Sequence, residues 1–261
     1  MKRSRRHALG QHFLASPAVL ERIVRVIDPR ADDHIVEVGA GRGALTFRLA
    51  EKAGRIVAVE KDKRLLAGLR EAAPANVEVV AADVLRVDFE DLVPPAERGR
   101  AKVAGNLPYA ISSPLLFKVL DARRLFASAV FLIQREVARR VCAGPGTKDY
   151  APVSILLQNA FEARLEFAVA PGSFVPPPKV TSALISLRRR PAPLLDVADE
   201  AGFAAFLRRA FGQRRKKLKN TLAVYGAPAV AAAGEALGIP ENARAEELPM
   251  ETLAALYREL V

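Results

Sequence analysis

From about residue 17 to residue 190 this chain alternates short apolar runs with amphipathic stretches, and that rhythm constrains its fold more than any other feature. Apolar runs of strand length separated by segments of helical period build a mostly parallel sheet with helices packed on it. The strand candidates are His34–Val38, Arg55–Val59, Val77–Ala81, Lys102–Gly105, Ala129–Ile133, Arg164–Val169 and Ser182–Arg188. The helix candidates are Ala44–Ala53, Lys63–Ala72, Pro114–Leu120, Arg135–Ala143 and Val153–Phe161. Only a loop joins the last two strands, which predicts an antiparallel pair at one edge of the sheet. That loop, 171–179, contains Pro171, Pro176, Pro177 and Pro178 and is too proline-rich for regular structure. Past Pro191 to Leu195 the chain turns Ala- and Leu-rich with helical spacing, broken at Gly226-Ala227-Pro228, Gly238-Ile239-Pro240 and Pro249. The expectation is an α/β domain over 1–190 and a small domain of three to five helices over 191–261.

Apolar residues make up 51% of the chain, enough for a substantial core, yet no apolar run approaches the roughly 18 residues of a membrane span. The basic start, Met1 to Arg6, is not followed by an apolar signal segment, which predicts that the chain is not exported. Cys142 stands alone, so no internal disulfide is possible, and His7, His12 and His34 show no metal-ligand spacing with it. A cytoplasmic protein without a metal site or a membrane anchor is the expectation. The formal charge of +11 points to a polyanionic partner, nucleic acid before an anionic membrane surface. The charge is concentrated. Lys2, Arg3, Arg5 and Arg6 crowd the N-terminus, and the stretch 208–219 holds Arg208, Arg209, Arg214, Arg215, Lys216, Lys217 and Lys219 with no acid among them. Such a run reads as a phosphate-contacting face.

Ile35 to Ala44 is a strand, a glycine turn (Gly39, Gly41, Gly43) and a helix start. Glycines let a backbone approach a ligand closely and take positive φ without strain. The spacing also satisfies the dinucleotide-binding pattern G-x-G-x-x-A. Three acids argue against that reading. Glu37 stands where a pyrophosphate would sit poorly but a cationic amino-acid group would sit well. Glu60 closes the second strand, 21 residues after Gly39, where a carboxylate can accept both ribose hydroxyls. Asp83 follows the third strand, in position to accept from an adenine amino group. A glycine turn followed by acids after successive strands resembles the S-adenosylmethionine-dependent methyltransferases.

Asn106-Leu107-Pro108-Tyr109 follows the fourth strand. An exocyclic adenine nitrogen is a poor nucleophile because its lone pair is shared with the ring. Two acceptors on its hydrogens, Asn106 Oδ1 and the Leu107 carbonyl, would draw that pair out of conjugation and bind more strongly as the nitrogen becomes positive. Tyr109 can stack on one face of an unstacked base, and Phe174, between rigid prolines, is expected to be presented against the other.

Together these residues resemble the ribosomal RNA adenine N6,N6-dimethyltransferases, in their small-subunit branch. The likeness runs from Leu9-Gly10-Gln11-His12-Phe13-Leu14 through Glu37 to Thr46, Asn106 to Pro114, Gln134 to Ala138 and Phe174 to Val180, to Arg214 to Asn220. It implies a Rossmann-like seven-stranded class I methyltransferase sheet with a small all-helical C-terminal domain that helps grip RNA. It also implies S-adenosylmethionine bound by His12, Leu14, Gly39, Glu60, Asp83 and Asn106, alongside the Glu37 and Gly41 read above. The implied substrate is a pair of adjacent adenines in the 3′-terminal hairpin loop of small-subunit rRNA, each methylated twice, with the small ribosomal subunit precursor as partner and a monomer as the acting form. The implied RNA grip falls on Arg208, Arg214, Arg215, Lys216, Lys217 and Lys219. His12 departs from the family, which usually has Asn there; an imidazole makes one comparable hydrogen bond but not both.

The nearest competing reading is the antibiotic-resistance branch, which dimethylates one adenine of large-subunit rRNA. The Phe174 to Val180 segment and Arg214 to Asn220 favour the small-subunit branch. A non-catalytic assembly factor is the rival of another class, and intact Asn106, Tyr109 and Phe174 argue against it.

Overall fold

The computed structural model describes residues 11–213 and 216–261. Among these, nine strands occur: β1 (Phe13–Leu14), β2 (His34–Val38), β3 (Arg55–Glu60), β4 (Val77–Ala81), β5 (Ala101–Asn106), β6 (Phe126–Gln134), β7 (Phe161–Val169), β8 (Phe174–Val175) and β9 (Ser182–Arg189). The α-helices are α1 (Pro17–Ile27), α2 (Thr46–Ala50), α3 (Lys63–Ala72), α4 (Phe89–Leu92), α5 (Ser112–Asp121), α6 (Arg135–Val141), α7 (Pro152–Ala160), α8 (Glu200–Ala210), α9 (Leu218–Thr221), α10 (Ala227–Ala236) and α11 (Met250–Leu260).

Seven strands form one sheet in the order β4-β3-β2-β5-β6-β9-β7, while β1 and β8 pair separately. β2 runs parallel to β3 and β5, β3 to β4, and β5 to β6, with β9 antiparallel to β6. The central strands are nearly continuous apolar runs because helices cover both faces; every residue of β2 is buried. This is the Rossmann-like seven-stranded α/β sheet that the sequence implies. Each of its strands overlaps an expected run, but β9 inserts beside β6 and leaves β7 at the edge.

Three local features differ from the sequence reading. The helix anticipated over Val153–Phe161 stops at Ala160, because Phe161 is extended (φ −129°, ψ 149°) and opens β7. The helix anticipated over Ala44–Ala53 contracts to Thr46–Ala50, its first residues being drawn into the glycine turn. The third, α1, is a helix without a sequence-based expectation, although its signals are plain: Ser16 Oγ caps Val19 N, Pro17 occupies the first turn, and Leu20, Ile23, Val24 and Ile27 make one buried stripe.

The chain separates into two compact units. One holds the described residues up to Ala138 with Glu162–Arg189, the other Arg139–Phe161 with Arg190–Val261. The second unit therefore does not begin with a single cut near residue 190; it also takes α7. Ile155 of α7 belongs to that unit's apolar cluster with Phe203, Phe206, Leu207 and Tyr257. Tyr257 stacks obliquely on Phe203 and Phe206, 5.4 and 5.5 Å between ring centres, while its hydroxyl donates to Asp199, the cap of α8. The expected three to five helices of 191–261 correspond to α8, α9, α10 and α11. No helix among the described residues is long and apolar enough to cross a membrane.

Candidate active site

In the sheet order, β3 and β4 lie on one side of β2 and β5 on the other. The crevice at the carboxyl ends of β2 and β5 is thus the switch point where open α/β sheets take their ligands. Gly39 follows β2, Glu60 ends β3, Asp83 follows β4 and Asn106 ends β5, so the ordered residues of the sequence motif converge on one rim.

The turn after β2 is held to β3 by bonds from the Gly39 and Ala40 amides to the Val59 carbonyl (2.9 and 3.3 Å). Gly39 and Gly41 both have positive φ (73° and 61°), and a Cβ on Gly41 would stand 3.3 Å from the Phe13 ring. At Gly105 the need is space, since a Cβ would lie 2.3 Å from the Val38 carbonyl. These absences of side chain keep the ends of β2 and β5 close together.

Glu60 is buried, and both its oxygens are engaged: Oε2 accepts from Gly41 N (2.8 Å) and Oε1 from Asp62 N (2.7 Å). A carboxylate has about four lone-pair sites, so acceptor capacity remains for hydroxyl donors. Asp83 accepts from Lys61 Nζ (2.7 Å) and Leu85 N (3.1 Å), and the Lys61 ammonium holds its carboxyl below the usual range. Glu37 is the unusual group. It is 2% exposed, Oε2 lacks a hydrogen-bond partner, and burial pushes its pKa to about 7. The neighbouring Thr46 hydroxyl opposes that rise and the Glu60 carboxylate adds to it. Thr46 Oγ1 is itself buried without a well-formed bond, so the two groups approach without satisfying each other.

At the end of β5, Asn106 Nδ2 donates to the His12 carbonyl (3.0 Å), which turns Oδ1 away from that bond. The Leu107 amide donates to the Leu132 carbonyl (3.0 Å) and fixes the segment to β6. Tyr109 shares a hydrogen bond with Ser182 Oγ (2.8 Å), and its ring lies 5.8 Å from that of His12, tilted 34°. Leu14 is buried in β1 opposite Phe174 in β8. The expectation of a presented Phe174 is corrected here. Antiparallel pairing with β1 turns its ring into the apolar cluster, 2% exposed, and leaves Val175 outside at 62%.

A family model described as ribosomal RNA adenine dimethylase matches residues 2–261. The chain belongs to this family. Among curated relatives of this dimethylase, the ribosomal RNA small subunit methyltransferase A of Geobacter metallireducens is 44% identical, over 98% of this chain and 95% of its own. The protein of the same name from Xanthomonas campestris pv. campestris is also 44% identical, over 92% and 90%. Among solved structures, a dimethyladenosine transferase from Plasmodium falciparum aligns with TM-score 0.81 at 26% identity, covering 94% of this chain and 96% of the other. The 23S rRNA methyltransferase ErmE aligns with TM-score 0.74 at 29% identity, covering 95% and 99%.

Of the basic residues assigned to RNA, Arg208 is exposed in the last turn of α8, and Lys216 and Lys217 are exposed before α9. Lys219 is exposed but pairs with Glu241 (2.5 Å). Arg214 and Arg215 lie outside the described residues. The crevice also brings together groups that sequence reasoning did not single out: Lys61 on Asp83, Thr46 beside Glu37, and Ser182 on Tyr109. Lys61 adjoins Glu60 and was open to notice; Ser182 is brought in by β9 from far along the chain and carries no local signal.

Proposed function

We propose that this dimethylase uses S-adenosylmethionine to dimethylate the N6 amino groups of two adjacent adenines in the 3′-terminal hairpin loop of small-subunit rRNA, acting in small-subunit biogenesis. Its relatives named ribosomal RNA small subunit methyltransferase A, at 44% identity, support the choice of subunit. The observation that carries the chemistry is the orientation of Asn106: with Nδ2 committed to His12, the side chain meets a target amine through oxygen.

The residues of the crevice fit the cofactor. Glu37 Oε2, buried and unpartnered, suits the cationic ammonium of the methionine moiety. The backbone at Gly39 and Gly41, with Leu14 on β1 and the main chain of His12 just ahead of it, suits close approach of the same moiety. Glu60 keeps lone pairs for ribose hydroxyls, and Asp83 suits the adenine amine. S-adenosylmethionine supplies an electrophilic sulfonium methyl when bound. Asn106 Oδ1 and the Leu107 carbonyl then accept from the target NH2, localising the nitrogen lone pair and gaining strength as positive charge develops. Tyr109, held by Ser182, offers a ring for an unstacked base. Phe174, being buried, serves this reading as the anchor of its loop. After each transfer the nitrogen is acidic enough to lose its proton to water, so no strong base is required.

The same reading takes the small-subunit precursor as partner, a monomer as the acting form and the cytoplasm as the compartment. The net charge of +11 supports an RNA partner. The test is transfer of labelled methyl from S-adenosylmethionine to separated, unmethylated small and large subunits, followed by nucleoside analysis. N6,N6-dimethyladenosine in small-subunit RNA is expected. Label in large-subunit RNA moves the protein to the resistance branch, and label in neither overturns catalysis. In the same assay Asn106→Ala should lower the transfer rate by about two to three orders of magnitude, the scale of losing one preorganised hydrogen-bonding group.

A further inference from the structure

His12 is tied in three directions. Its carbonyl accepts Asn106 Nδ2, its ring Nδ1 lies 2.8 Å from the Pro176 carbonyl, and its ring leans on Tyr109. A carbonyl oxygen only accepts, so Nδ1 carries the hydrogen and donates it. The neighbouring residues show what that bond completes. Phe13 and Leu14 pair with Val175 and Phe174, and the Ala15 and Ser16 amides both donate to the Ser173 carbonyl (2.8 and 3.3 Å). The next pair along this short ladder would be His12 with Pro176, but proline has no N–H to contribute. The His12 side chain supplies the missing stitch. It fastens the far end of β8 as Ser173 fastens the near end.

We propose that His12 is a positioning residue for the target base: its imidazole locks the Pro176 end of the 171–179 loop and braces the Tyr109 ring, so that it acts on the RNA side of the crevice. The inference rests on the function proposed above in taking that crevice to receive an adenine. It also gives the departure from Asn a physical content. An Asn side chain retains a donor at a similar distance from the backbone, but it has no ring to set against Tyr109.

The experiment compares His12→Asn, which keeps a donor, His12→Phe, which keeps a ring, and His12→Ala, which keeps neither. The chain has no tryptophan, so Val175→Trp introduces a lone indole beside Pro176 as reporter of the loop. With full-length protein, steady-state anisotropy of that indole is read in each His12 background. Affinity for S-adenosylhomocysteine is measured by calorimetry without RNA. kcat and KM for RNA are then measured without the reporter. Anisotropy should fall in His12→Ala and His12→Phe and hold in His12→Asn. kcat/KM for RNA should fall about tenfold in His12→Ala, the worth of one hydrogen bond with its packing, while S-adenosylhomocysteine affinity changes less than about twofold. Unchanged anisotropy in all three variants overturns the proposal. So does a loss of S-adenosylhomocysteine affinity that matches the loss in kcat/KM, which would make His12 a cofactor ligand alone. Wild-type protein that methylates no ribosomal RNA sinks the proposed function instead, and the anisotropy still decides whether His12 holds the loop.

Discussion

Glu60 grips the Gly41 amide at 2.8 Å with one oxygen and the Asp62 amide at 2.7 Å with the other. A single buried carboxylate thus shapes the glycine turn and the start of α3, whose cap is Asp62. The group that the sequence marks for a ribose is also part of the frame that forms the crevice. Binding and local stability should therefore fail together when it is altered.

Glu60→Gln sets an amide NH2 against one of two backbone N–H donors and leaves that donor unsatisfied. Unfolding free energy should drop by about 1–3 kcal/mol, and affinity for S-adenosylhomocysteine should fall at least about tenfold. Denaturant titration and calorimetry measure the two effects. Lost affinity at unchanged stability would mean that the carboxylate serves the ligand only.

Glu37 makes stability depend on pH. Its pKa rises from the ordinary glutamate value of 4.5 to about 7 in the folded protein, first because of burial. The folded state therefore keeps a proton that the unfolded chain has released, and stability falls as pH rises through that window. The loss should reach about 3 kcal/mol once pH exceeds the folded value. Glu37→Gln should abolish this slope and be more stable than wild type at pH 8, while binding S-adenosylmethionine more weakly. Denaturation at pH 5 and pH 8 checks it; equal slopes in both proteins would remove Glu37 as the source.

The central strands were legible because they are apolar runs, two of them closed by a polar residue, Glu60 ending β3 and Asn106 ending β5. α3 matches its expected span because Asp62 caps its start and Pro74 follows its end. The convergence of Glu37, Glu60, Asp83 and Asn106 follows from parallel strands that end on one rim. What stayed hidden depends on partners distant in sequence. Two-residue strands such as β1 and β8 have no periodicity to read, and only their pairing turns Phe174 inward. The Tyr109–Ser182 bond spans 73 residues and appears only once β9 is threaded beside β6. Division of the chain at both 138 and 189 is equally non-local, since α7 looks like any other helix of the α/β region until its Ile155 joins the second unit's core.

Burial of Phe174 yields a stability prediction where the sequence alone suggested an activity one. Phe174→Ala removes a ring that is 2% exposed within the cluster holding Leu14, Leu20 and Leu184. Stability should fall by about 3–5 kcal/mol, measured as a shift in denaturant midpoint. A shift below about 1 kcal/mol combined with severe loss of methyl transfer would instead assign the ring to the substrate.

Charge at the 208–219 run should be read through salt dependence, and its lysines should differ. Lys217 is exposed ahead of α9, whereas Lys219 already pairs with Glu241, whose carboxyl it holds below the ordinary range with help from Lys217. A lysine free to neutralise a phosphate releases a counterion on binding; one that must first leave a carboxylate contributes less. Lys217→Glu should therefore reduce the slope of log Kobs against log salt for a hairpin RNA by about 0.7 or more. Lys219→Ala should change the slope by less, and Glu241→Gln should steepen it by freeing Lys219. Identical slopes in all three variants would move the RNA-contacting face away from this run.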